Sequence, residues 1–171
     1  MAEGLVEALV NLFGGLQGIP FGKELIVFII SLMPILELRG GLIAASLLGL
    51  DPLRSYIIAI IGNIIPVPFI LWFINSILEW MRNSKHFKKL AKWIDKKAHK
   101  HKGQIEKYGY LGLVLFVGIP LPGTGAWTGC LIASVLEMDR KKSFIAAMIG
   151  IFMASIIMMI LSFGVLKSVI S

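Results

Sequence analysis

The sequence predicts an all-α polytopic membrane protein with an inverted repeat, each unit a re-entrant helical hairpin followed by a spanning helix, plus amphipathic surface helices. Three observations predict this. Of the 171 residues, 57% are hydrophobic and the mean hydropathy is +0.84, against roughly 45–50% apolar residues in a soluble domain. The chain also matches itself without a gap at an offset of 88: "SLLGLDPLRSYIIAIIG" (46–62) lies over "SVLEMDRKKSFIAAMIG" (134–150). Twelve of the thirty-five positions from Phe28 to Gly62 are identical to those 88 residues later, including Pro34/Pro122, Gly41/Gly129, Asp51/Asp139 and Gly62/Gly150. Apolar composition inflates such a score, but it does not place Asp, Pro and Gly in register. Finally, ten of the seventeen Lys and Arg lie between Arg82 and Lys107, between two hydrophobic halves, where the positive-inside rule puts a cytoplasmic loop.

The elements are expected within a single membrane domain, 1–171. Residues 1–20 should hold an interfacial helix, since Leu5, Leu9, Leu12, Phe13 and Leu16 recur at helical spacing over a stretch too short to span. The start "MAEGLVEALVNLF" is acidic and lacks a basic region and a small-residue cleavage site, so no removable signal is expected. Repeat 1 covers 23–80 and repeat 2 covers 108–167. Each has an apolar segment interrupted by Pro and Gly (about 23–50 and 108–138), a charged turn ("DPLR" or "DRKK"), and a long helix (about 55–80 and 143–166). The long helices, at 1.5 Å per residue, are enough to cross about 30 Å of hydrocarbon. Between the repeats, 82–107 forms a basic amphipathic linker with Phe87, Leu90, Ile94 and Ala98 on one face. Its Lys85, Lys88, Lys89, Lys92 and Lys96 are candidates for lipid-headgroup contact, each worth about 1 kcal/mol near an anionic surface.

The interrupted segments could be broken spanning helices or re-entrant hairpins of two half-helices. Charge arbitrates. With four plain spans and a cytoplasmic linker, "DRKK" with three cations falls outside. With a re-entrant second segment, "DRKK" falls inside and "DPLR", with one arginine, falls outside, as the positive-inside rule requires. The second arrangement makes the units inverted copies, a plan common in secondary transporters whose interrupted helices meet near the midplane to form the substrate site.

The first break, "LMPILELRGG" (32–41), carries Glu37 and Arg39 into an apolar run, at about 2.5–3.5 kcal/mol each on insertion scales. Pro34 weakens the helix before them, and Gly40-Gly41 permits a turn after them. A half-helix starting there would offer N–H groups to an anion, and Arg39 a guanidinium fork suited to phosphate or carboxylate. Glu37, pulled up by burial and down by Arg39, is a candidate proton carrier; the plainer alternative is an ion pair that neutralises both charges. The second break, "GIPLPGTGAWTG" (118–129), is uncharged. Pro122, Gly123 and Gly125 should form a loop, with Thr124, Thr128 and Trp127 lining protein or water, or else a tight elbow. Asn63, with Pro66 and Pro68, marks a kink in the first long helix and needs a polar partner, most cheaply the hairpin tip.

Other chemistry finds little footing. The basic segment reads as topology rather than nucleic-acid binding. His86, His99 and His101 lack an acidic or cysteine cluster, so no metal or cofactor is expected, and Cys130 is alone. No phosphate loop, nucleophile elbow, metalloprotease motif or dinucleotide fingerprint occurs, so the chain reads as a non-enzyme.

"PILELRGG" followed by "GIPLPGTGAWTG" resembles the small multidrug export protein family over nearly the whole chain from about Phe21. More distantly the plan is similar to the DedA superfamily, whose members have two re-entrant hairpins in inverted repeat and include proton-coupled carriers of undecaprenyl phosphate. Glu37 is the one acidic hairpin residue that carries over. DedA proteins bear arginines around the second Pro-Gly turn, where this chain has none, so Arg39 would supply the cationic contact alone. The resemblance implies a multi-pass cytoplasmic-membrane transporter of an amphiphilic anion, such as a polyprenyl phosphate or lipid headgroup, with proton (or other cation) coupling at Glu37. The alternatives are efflux of small amphipathic compounds and a scaffold or lipid-binding module that transports nothing. The expected partners are membrane lipids and the substrate; two spans and two hairpins leave a thin wall around a cavity, which a homodimer would thicken.

Overall fold

The computed structural model describes residues 2–83, 88–121 and 123–165. Lys85, Phe87 and Pro122 therefore lie outside the described residues. Every regular element among the described residues is helical: α1 (Ala2–Leu12), a 3₁₀ turn (Gly14–Gly18), α2 (Gly22–Leu32), α3 (Glu37–Leu47), α4 (Pro52–Ile64), α5 (Pro66–Asn83), α6 (Lys88–Gly118), α7 (Ala126–Val135), α8 (Arg140–Met159) and a π-helical end (Ile160–Val165). The chain forms two compact units, one of residues 1–65 and 151–171, the other of 66–150.

In the first unit α3 folds back beside α2. A Cβ on Gly41 would collide with Ser31 Oγ and stand 3.2 Å from the Val27 carbonyl, and one on Gly40 would stand 3.1 Å from Ile30. In one continuous helix Val27 and Gly41 would be about 21 Å apart, so the interrupted segment is a helical hairpin. Its turn follows from Pro34, which pushes the preceding residue out of the helical region; Met33 is extended (φ −72°, ψ 140°) and ends α2. Small residues on α3 let the backbones approach closely, the usual device where lipid offers no hydrophobic drive. At the open end Lys23 Nζ donates to the Leu48 carbonyl (3.0 Å), and Arg54 pairs with Glu24 (3.0 Å). α4 closes on the hairpin through Gly62, whose Cβ would lie 2.9 Å from both the Phe28 carbonyl and Ser31 Cβ. α1 packs Val6, which is fully buried, with Leu9 and Val10 against the same core, while Leu5 and Leu12 stay exposed.

The second unit repeats the pattern. α6 breaks at Gly109 (φ 57°, ψ −132°), and its last turns run beside α7, where a Cβ on Gly129 would lie 2.8 Å from Val117. Tyr110 OH accepts the Asp139 N–H (3.2 Å) at the open end. Gly150 sits on Val117 and Val114 as Gly62 sits on α2.

Local geometry carries the 88-residue offset further than the sequence does. Asp51 Oδ1 accepts the Arg54 N–H and Asp139 Oδ1 the Lys142 N–H, both at 2.9 Å, so each charged turn is a helix N-cap. α3 ends with Gly49 and Leu50 N–H bonded to Ser46 and Ala45 carbonyls; α7 ends with Glu137 and Met138 bonded to Ser134 and Ala133, the paired bonds of a Schellman cap. Left-handed residues also pair at that spacing: Phe21 with Gly109, Glu37 with Gly125, Gly49 with Glu137. In each pair one copy has glycine, which adopts such a φ without steric cost, and the other a bulkier residue that does not. Gly49→Ala is therefore expected to lower stability by about 1 kcal/mol, and Glu137→Gly to leave it unchanged or raise it by up to about 1 kcal/mol. Thermal unfolding in detergent measures both.

Two apolar helical stretches are long enough to cross a bilayer, Pro52–Ile74 (23 residues) and Arg140–Gly164 (25 residues). They expose an apolar residue on nearly every turn, Ile57, Ile61 and Phe69 on the first and Ile145, Ile149 and Ile156 on the second, which suits lipid rather than water. The first was expected as one helix from 55 to 80. It is divided at Ile65 because Pro66 cannot donate to the carbonyl one turn back, the kink expected from Asn63, Pro66 and Pro68. The described part of the linker, expected over 82–107, lies in α6, whose break comes at Gly109.

Candidate functional site

Glu37 opens α3 in the hairpin turn of the first unit. Its side chain is buried (5% exposed) although it carries a carboxyl group, and its backbone is left-handed (φ 52°). Its N–H donates to the Met33 carbonyl (3.0 Å), and the Gly40 N–H to Leu36 (2.8 Å), so the turn is hydrogen-bonded through the Pro34 break. Arg39 is half-buried two residues on, close enough for the Glu37 charge to act on it. Both residues have partners, and the Glu37 charge acts on Arg39.

Gly40 and Gly41 are needed for another reason than a turn. The bend occurs earlier, at residues 33–36, and the glycines lie within α3, where they admit α2. The expectation that Gly40-Gly41 makes the turn is thus corrected: Pro34 and the left-handed Glu37 make it.

Asn63 is 2% exposed, and its Oδ1 has no hydrogen-bond partner among the described residues. It follows Gly62, and Gly41 stands one helical turn after Glu37; both glycines close on Ser31. A buried acceptor left unmet costs about 1–3 kcal/mol. Asn63 was expected to need a polar partner, most cheaply the hairpin tip, and its Oδ1 is the atom still without one among the described residues.

In the second hairpin, Gly123 (φ 84°) and Gly125 (φ 135°) take left-handed backbone that only glycine adopts without strain. Thr124 Oγ1 is within 2.9 Å of the Ile119 and 2.8 Å of the Leu121 carbonyl and accepts the Leu121 N–H (3.2 Å). Its hydroxyl staples the turn. Trp127 is half-buried and Thr128 is buried (7%) in the first turn of α7. A cleft of about 180 Å³ runs along this hairpin, lined by Tyr108, Leu115, Phe116, Ile119, Leu121 and Thr124. Lys92 and Lys96 are exposed on α6, and Lys88 and Lys89 lie in its first turn. Among the described residues no group of His, Cys, Asp and Glu could hold a metal.

A helical protein with two apolar helices long enough to cross a bilayer, and a buried glutamate beside a half-buried arginine in one hairpin turn, has the make-up of a membrane protein. More narrowly, residues 37–157 match the family described as "Putative small multi-drug export protein", and the chain belongs to that family. The description is that of an export protein, a membrane transporter rather than an enzyme. The match begins at Glu37, just after the first bend, and takes in the second hairpin turn and both charged caps. It is to the export family, not to the DedA superfamily. No curated protein and no solved structure matches the chain.

Proposed function

We propose that the protein is a proton-coupled transporter of an amphiphilic anion, a polyprenyl phosphate or a lipid carrying a similar headgroup, with the first hairpin turn as its substrate and proton site. One observation carries this reading: Glu37 is buried and left-handed where the sister copy has Gly125. A charged residue pays twice there, in desolvation and in backbone strain, while glycine would serve the fold better. Arg39 binds the anionic headgroup, and Glu37 takes up a proton when the headgroup leaves. The Oδ1 of Asn63, without a partner among the described residues, supports a polar occupant near the hairpin.

The hairpins are read as re-entrant and the repeats as inverted, with the linker on the cytoplasmic face of the cell membrane. The repeat-related caps and left-handed residues support the duplication, and the charge difference between "DPLR" and "DRKK" supports the inversion. Single cysteines at positions 53 and 141, in a Cys130→Ser background, are expected to label from opposite sides in intact cells. Labelling from one side would overturn the inverted arrangement.

The transport reading is tested in proteoliposomes, by transbilayer movement of a labelled polyprenyl phosphate under a pH gradient. Wild type should move it and Arg39→Ala should not; no movement by wild type would defeat the reading. A second reading, efflux of small amphipathic compounds, is favoured by the family match. Arg39 disfavours a cationic compound at that turn, so a dye-efflux arm with a lipophilic cation separates the two.

A further inference from the structure

A second glutamate stands where the sister copy has glycine. Glu137 caps α7 with φ 54°, where Gly49 caps α3 with φ 64°, and it is exposed at the first of two adjoining cavities in the second unit. One, of about 290 Å³, is lined by Leu71, Ser134, Glu137, Met138 and Arg140. The other, of about 510 Å³, shares Met138 and Arg140 and adds Trp72, Asp139 and Lys141.

The charges in this place are of both signs and largely uncommitted. Asp139 is engaged, its Oδ1 holding the Lys142 N–H. Among the described residues neither Glu137 nor Arg140 nor Lys141 is in an ion pair; Glu137 borders the first cavity, Lys141 the second, and Arg140 both. Arg140 opens a bilayer-length apolar helix, so the cavities lie at one of its ends, at headgroup depth. Trp72 is 39% exposed beside them, an amphipathic ring of the kind that settles at that depth. An anionic headgroup would be served by Arg140 and Lys141 alone and repelled by the glutamate. A headgroup with an adjacent phosphate and ammonium uses both signs.

We propose that these cavities form a binding site for a zwitterionic phospholipid headgroup of the phosphoethanolamine type, with Arg140 and Lys141 on the phosphate and Glu137 on the ammonium. The site does not depend on what the first hairpin carries, and it would bind lipid in a protein that transports nothing.

The test uses full-length protein in detergent with two short-chain probes, phosphatidylethanolamine and phosphatidylglycerol, and scores bound lipid by native mass spectrometry. Wild type is expected to prefer phosphatidylethanolamine by about fivefold, the worth of one partly exposed charge contact. Glu137→Gly, whose backbone suits the cap, should keep or raise its thermal midpoint and lose that preference. Arg140→Gln combined with Lys141→Gln should weaken both lipids. Equal binding by wild type, a preference for phosphatidylglycerol, or an undiminished preference in Glu137→Gly would each overturn the proposal.

Discussion

Replacing Glu37 with glutamine is expected to cut proton-driven substrate movement at least tenfold while leaving the protein folded and inserted. Glutamine is nearly isosteric and can keep one acceptor of the carboxylate, but it cannot load a proton, so the coupled cycle stalls whatever the substrate affinity. The left-handed backbone supplies an unusual control. Glu37→Gly removes the whole side chain yet suits φ 52° better than glutamate does, so it should fold and be equally inactive. A structural role for the Glu37–Arg39 pair predicts a different pattern: both variants would lower the thermal midpoint, because Arg39 would be left half-buried without its neighbouring charge. Flux and melting measured on the same preparations tell these apart.

Gly41→Leu is expected to abolish the first hairpin. A Cβ at Gly41 already collides with Ser31 Oγ, and the Val27 carbonyl stands 3.2 Å away. The serine could rotate, but the α2 backbone cannot yield without moving the whole helix. Overpacking a well-packed core costs typically about 1–3 kcal/mol, and here the clash involves two helices whose separation is set by this contact. Gly41→Ala should be folded but destabilised, and Gly41→Leu should fail to yield monodisperse protein in detergent. By contrast Gly4, beside which nothing lies within 4 Å, should accept leucine without loss. Size-exclusion profiles after mild solubilisation report all three. A hairpin that tolerated Gly41→Leu would contradict the close packing of α2 and α3.

Much of this architecture is legible in the sequence. Asp51 and Asp139 stand at the same place in the two copies because each caps a helix, and the Pro34 break falls where the residue before proline must leave the helix. Gly41 and Gly62 were legible as matched positions, not as the two contacts on Ser31, because a small residue in an apolar run gives no sign of what it touches. The role of Thr124 stayed open between lining and a tight elbow for a similar reason: a hydroxyl in a Pro-Gly loop can serve a ligand or its own turn, and only the geometry shows it closing on Ile119 and Leu121. The buried face of α1 was also missed, since Val6 lies beside the leucines in sequence but turns inward in the fold. The left-handed glutamates had the faintest sequence signal. It was present in the self-alignment, where Glu37 falls opposite Gly125 and Glu137 opposite Gly49, but a Glu-Gly mismatch means little until the backbone angles are known.

In the proposed cycle Glu37 ties a proton to the movement of an anionic amphiphile. The most direct test of this coupling is proton flux in proteoliposomes holding an entrapped pH dye, with a polyprenyl phosphate added on one side and no imposed gradient. Substrate addition should shift the internal pH with wild type and leave it unchanged with Glu37→Gln. Substrate movement with no accompanying proton flux, or the same pH shift in the Glu37→Gln protein, would contradict the claim.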